Sequence, residues 1–202
     1  MTFNTIARLA GVLLIGASLA GCMDVTAEID VTSDTTGKAT TIMTVGAEFY
    51  PMIKQAQEAS TEGADTSDAF CKEEGDVLTE NADGSATCTS VKEGDLTAIT
   101  TADGPNEDTT FTVVSPGVVR VAFKTEEMSS SVTEGQDEQT AQMMKAYFEG
   151  HSATIRIKGK KIVETNMDIG ADGAAEKVIP FTALFDGTAN LPAELFAVVD
   201  TR

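Results

Sequence analysis

Tryptophan is absent from this 202-residue chain, histidine occurs once, and 14 basic residues face 32 acidic ones. Each scarcity removes a class of function. Phosphate neutralisation needs clustered Lys and Arg, so nucleic acid is excluded as a partner, and broad adhesion to anionic head groups is disfavoured. The lone imidazole, His151, stands just behind Gly150 in what reads as a loop or strand start. Ser and Thr abound, but nucleophilic catalysis needs a base within reach, and no Ser-x-x-Lys occurs. No Gly-rich loop opens a helix in phosphate-binding form. "DIGADG" (168–173) places Ile179 where an EF-hand requires Glu, and "NADGS" (81–85) likewise reads as a turn. No catalytic residue, cofactor or metal set emerges, and the chain is read as non-enzymatic.

Cysteine is scarce too, at three. Cys22 follows an apolar stretch, Leu9 to Ala20, whose one preceding charge is Arg8. That stretch is shorter than the roughly 20 apolar residues a bilayer span needs, but it fits the apolar core of a secretory signal. It closes in Leu19-Ala20-Gly21-Cys22, the lipobox pattern of bacterial lipoproteins, in which signal peptidase II cleaves before a diacylglycerol-modified cysteine. The expectation is a signal peptide over 1–21 and a mature chain anchored in the membrane through Cys22. Two or three acyl chains, at about 0.8 kcal/mol per buried methylene, hold such an anchor stably. Met23, not Asp, follows the cysteine, which leans towards the outer membrane, with the protein on a membrane surface facing the periplasm. Removing residues 1–21 takes away Arg8 and no acid, leaving 13 basic residues against 32 acidic and a formal charge of −19. Such acidity reads either as solubility or as affinity for cations or a basic partner.

Cys71 and Cys88 remain as an even pair in an oxidising compartment. They read as a disulfide enclosing sixteen residues, with two unrelated buried thiols as the alternative. Zinc is disfavoured because their spacing is not that of a ligand pair and His151 has no companion.

The mature chain has the length of one domain. "MDVTAEIDVTSD" (23–34) alternates with period two, and "ATTIMTV" (39–45) continues after a turn, so a hairpin opens the domain directly behind the anchor. The folded body is therefore expected close to the membrane. Residues 49–63 change period: Met52, Ile53, Ala56 and Ala59 share a helical face, with Pro51 in the first turn and Gly63 as a stop. Residues 66–75 suggest a second short helix, 76–91 a hairpin with Asp83-Gly84 at its tip, and 92–110 a loop with a short helix. A third hairpin spans 111–125 across Pro116-Gly117. Residues 126–138 form a polar excursion and 138–150 a helix ending at Gly150. "ATIRIKG" and "KKIVETNMD" are expected to pair across Gly159-Lys160, and "EKVIPFTAL" and "ELFAVVDTR" supply the last strands. The expected class is α+β: about eight strands in a mostly antiparallel sheet of hairpins, with two or three helices packed on one face.

Met143-Met144 and Tyr147-Phe148 widen the apolar stripe of the 138–150 helix beyond one contact surface. One reading buries this face in the core. The other lets Met144, Phe148 and Phe181, with Met128, Phe185 and Phe196, line a cleft for an acyl chain, since flexible methionine suits adaptable binding.

The two flanks carry a resemblance. The lipobox cysteine followed at once by "VTAEIDVTSDTTGKATTIMTV" (25–45), and the run "ATIRIKGKKIVETNMDIGADGAAEKVIPFTAL" with its Ile162-Val163-Glu164-Thr165-Asn166 step and Gly170–Gly173 turn, resemble the LppM-type bacterial envelope lipoproteins. A Trp frequent in that family after the turn is replaced by Val178-Ile179-Pro180, and the C-terminal transmembrane segment of some relatives has no counterpart here. The resemblance implies a helix-on-sheet α+β domain without enzyme activity, associated with the envelope and with lipid or glycolipid binding. It offers no catalytic residue to carry over. The alternative partner is an envelope protein, held by an edge strand or the acidic face.

Overall fold

The computed structural model describes residues 23–59, 70–71, 75–99, 109–125, 142 and 145–202, with the side chains of 56–59 excepted. The signal segment, most of 66–75 and the 126–138 excursion lie outside the described residues.

The opening hairpin forms as its alternation requires. In β1 (Met23–Val31), Met23, Val25, Ala27, Ile29 and Val31 are buried and the residues between them half-buried. It pairs antiparallel with β2 (Thr36–Val45), Met23 opposite Val45 and Val31 opposite Gly37. Ser33 accepts the Thr36 N–H on its hydroxyl at 3.0 Å and closes the turn, the local competition with regular structure that Ser favours. The hairpin at Asp83-Gly84 also forms, as β3 (Val77–Glu80) and β4 (Ala86–Asp95). That at Pro116-Gly117 joins β5 (Thr109–Ser115) to β6 (Val118–Lys124).

The remaining strands are β7 (Ser152–Lys158), β8 (Lys161–Thr165), β9 (Asp168–Ile169), β10 (Ala175–Pro180) and β11 (Glu194–Asp200). They do not extend one sheet. Seven strands run in the order β3-β4-β2-β1-β7-β10-β9, and four others form a second sheet, β5-β6-β11-β8. β1 and β7 are parallel neighbours, with Val25 opposite Ala153 and Ile29 opposite Ile157.

The expected α+β layer of helices on one sheet face is therefore corrected: the protein is mostly β, built as two sheets with short helices. What covers the inner face of the seven-stranded sheet is chiefly the second sheet. Ile29, Val31, Ile155, Ile157 and Ile179 from the first meet Val119, Val121, Leu195, Ala197 and Val199 from the second in one apolar core. Two strand faces of matching alternation bury each other, which leaves the helices for the margins. α1 (Tyr50–Ala59) covers one end of the large sheet. α2 (Leu96–Ile99) and α3 (Phe181–Phe185) place Leu96, Ile99 and Leu184 in the main core.

The expected pairing across Gly159-Lys160 is corrected as well. β7 stays in the large sheet while β8 enters the small one, so the chain crosses between layers at this point. Gly159 permits the crossing, because a Cβ there would lie 2.4 Å from Val199 Cγ1 and 2.8 Å from the Val31 carbonyl oxygen. "EKVIPFTAL" is strand to Pro180 and then turns into α3, since a proline with no N–H to offer a ladder readily ends one.

Candidate functional site: the aromatic end of the large sheet

The end of the sheet where β1 begins carries the aromatic residues. The Gly46 carbonyl accepts the N–H groups of Phe49 at 3.1 Å and Tyr50 at 3.0 Å, starting α1, and Pro51 fits the first turn because its missing donor is not needed there. Tyr50 and Ile53 turn inward to join Met23, Val25, Val45, Phe70, Ala86 and Cys88 in a second apolar cluster. The Tyr50 and Phe70 rings meet edge to face at 6.3 Å. A disulfide joins Cys71 to Cys88, with Cα atoms 5.3 Å apart, and so fastens the Phe70 segment to β4.

The Tyr50 hydroxyl donates to Glu80 Oε1 at 2.7 Å, and Lys54 Nζ reaches the same oxygen at 3.0 Å. That hydrogen bond holds the Tyr50 proton and, with burial, raises its pKa above the usual phenol value. The same bond, followed by the ammonium of Lys54, lowers that of Glu80.

A second wall comes from residues 145–151 and α3. Phe148 is buried, its ring centroid 4.9 Å from that of Phe181 and 5.4 Å from that of Phe185. Gly150 turns the chain with φ +86°, a left-handed conformation that favours glycine. His151 then places Nδ1 3.1 Å from Asp24 Oδ2, and the Ser152 N–H donates to Asp24 Oδ1 at 2.9 Å. The Phe181 N–H donates to the His151 carbonyl at 3.1 Å. The sole imidazole thus ties this wall to the second residue of β1. The walls meet where Phe49 and Tyr147 pack edge to face at 5.8 Å.

Of the residues singled out from sequence, Phe148 and Phe181 come together, and Phe185 joins them. Phe196 does not: it lies on the small sheet with the Arg120 guanidinium 4.4 Å above its ring. Leu19, Ala20, Gly21, Cys22, Met128 and Met144 lie outside the described residues. Phe148 sits between the rings of α3, so an acyl chain entering here would have to displace aromatic contacts. Phe49, Tyr50 and Phe70 were missed as site residues. The signal is the Phe49-Tyr50-Pro51 junction, an aromatic pair at a helix start one hairpin after the lipobox.

Other candidates resolve into structure. Cys71, Cys88 and Asp76 place potential ligand atoms within 4.8 Å of one another, but disulfide sulfurs are not thiolate ligands. Asp83 Oδ1 accepts both the N–H and the hydroxyl of Ser85. Asp172 bonds the Ala174 N–H and pairs with Arg156. On the sheet face away from the core, Arg156 also bonds Glu28 at 3.0 Å and pairs with Glu176, while Lys158 reaches Glu28 at 2.7 Å. No described helix is long and apolar enough to cross a membrane.

No protein-family profile matches the chain, and no curated protein does. A solved structure does match. The match is the folded domain of LppM from Mycobacterium tuberculosis, solved by NMR, at 10% identity and a TM-score of 0.41, covering 90% of this chain and 95% of that one. This is the family that the two flanks resemble.

Proposed function

We propose that this chain is a lipid-anchored, non-enzymatic protein of the bacterial cell envelope whose folded body binds a lipid or related amphiphile at its aromatic end. The observation that carries the reading is a juxtaposition. β1 starts one residue behind the lipobox cysteine, and its second residue, Asp24, is hydrogen-bonded to the segment that bears Phe148. An apolar aromatic cluster therefore stands beside the point of attachment, where lipid is the nearest apolar phase. The non-enzymatic reading draws support from His151, whose hydrogen bonds have a structural use. Met23 behind the anchor favours the outer membrane, on the surface facing the periplasm.

Two measurements test this. Cys22→Ser should abolish incorporation of labelled palmitate and leave the precursor uncleaved; a labelled mutant would end the anchor reading. Native mass spectrometry of the mature protein, released gently from detergent, should show a non-covalent lipid above the acylated mass. Phe148→Ala should shrink that adduct several-fold. A clean mass that persists when native membrane lipids are titrated in would move the reading to an assembly factor that binds an envelope protein. That second reading draws on Val77, Val91 and Val178, exposed on the outer face of the large sheet among its threonines. Cross-linking in the intact envelope would test it.

A further inference from the structure

The anchored reading leaves open which surface of the domain meets the bilayer, and the exposed apolar side chains at this end answer it. Consecutive Cα atoms lie 3.8 Å apart, so the cysteine that would bear the lipid lies within that distance of Met23. Met23 in turn belongs to the cluster on which Phe49 packs. Phe49 immediately precedes α1, and its carbonyl accepts the Met52 N–H at 3.0 Å, which holds the two residues one turn apart. Met52 is 63% exposed, and Tyr147, edge to face with Phe49, is 42% exposed. Amphipathic and apolar side chains of this kind suit the head-group boundary.

Charges of both signs border the patch, the exposed Glu48 and Glu149 among them. In a chain with more than twice as many acids as bases, Lys54 and Lys145 each stand two residues from a member of the patch. Both are held at its margin by carboxylates, Lys54 by Glu80 and Lys145 by Asp186. Their alkyl stems can lie along an apolar boundary while the ammonium groups stay in water.

We propose that Phe49, Met52 and Tyr147 form a membrane-docking patch that seats the domain on the lipid surface beside its anchor, fixing its orientation. The proposal rests on the lipoprotein reading above. It differs from the proposed ligand cluster around Phe148, because the patch contacts the bilayer itself through the exposed Met52 and Tyr147, with half-buried Phe49 packed against Tyr147.

The absence of tryptophan supplies the test, since any introduced indole is the only one in the chain. The mature lipidated protein is reconstituted into phosphatidylethanolamine–phosphatidylglycerol vesicles with and without acyl-brominated phosphatidylcholine. Met52→Trp and Tyr147→Trp, both at exposed positions, should be quenched about two-fold by the brominated lipid and blue-shifted, as expected for side chains at the acyl boundary. Val113→Trp, exposed on β5 of the other sheet, should be unaffected. If lipidated protein floats with the vesicles but the first two indoles escape quenching, or all three are quenched alike, the docking patch is overturned and the anchor reading stands. A chain that neither takes up acyl label nor floats overturns both.

Discussion

The inner face of the large sheet is covered in two ways. Where Ile29, Val31, Ile155 and Ile157 lie, a second sheet closes over it, and most of the facing side chains are sealed almost completely from solvent. Where Met23, Val25 and Val45 lie, cover comes from one helix, a short Phe70 segment and a disulfide. The first arrangement satisfies its backbone within two hydrogen-bonded sheets and packs their apolar faces together. The second is a patchwork in which each piece is fastened separately, by Tyr50 to Glu80, Cys71 to Cys88 and Asp24 to His151. Stability is concentrated in the first. The second retains exposed apolar side chains that a pure stability criterion would bury, which is where a binding surface belongs.

Three perturbations test that division, the largest first. Leu195→Ala removes a fully buried side chain from the small sheet and should cost about 2–5 kcal/mol, read as a drop in the urea midpoint for the entire domain. A loss confined to α1 would contradict the placement of the main core. Replacing both cysteines (Cys71→Ser with Cys88→Ser) removes a cross-link spanning 17 positions, worth about 3 kcal/mol in the chain-entropy model. Hydrogen exchange should quicken in α1 and β3 well before β6 and β11; uniform quickening would mean that the two regions open as one.

The smallest effect concerns Glu28, on the opposite face. Burial pushes its pKa up, but the hydrogen bonds and charges of Lys158 and Arg156 outweigh this and hold it below the ordinary glutamate value of 4.5. A depressed native pKa contributes stability that is complete above the unfolded value and is lost as pH falls through the native one. Glu28→Gln should therefore cost about 1–2 kcal/mol at neutral pH. The two proteins' urea midpoints should converge as pH falls below 4.5; parallel curves would show that the ion network does not stabilise the fold.

The hairpins were legible because period-two alternation and turn residues are local facts, as at Asp83-Gly84 and Pro116-Gly117. Which sheet a strand joins is not local. β7 and β8 read as one hairpin because Gly159-Lys160 looks like a turn, and nothing in the neighbouring residues records that Val199 and Val31 press on that glycine. The parallel contact of β1 with β7 joins residues more than a hundred positions apart, beyond the reach of periodicity. At the candidate site, Phe148 and Phe181 were legible as bulky apolar residues. The periodicity puts Met52 and Ile53 on one face, yet only Ile53 is buried and Met52 stays outside, since neighbours on a helix point about 100° apart.

The attachment proposed at residue 22 also has a mechanical meaning. β1 is an interior strand, in register with β2 from Met23 to Val31 and with β7 from Val25 to Asp30. A pull on a lipid at residue 22 would load that strand along its axis, so both ladders resist in shear and share the force. Such a load would therefore be spread over two ladders at once instead of peeling one residue pair at a time.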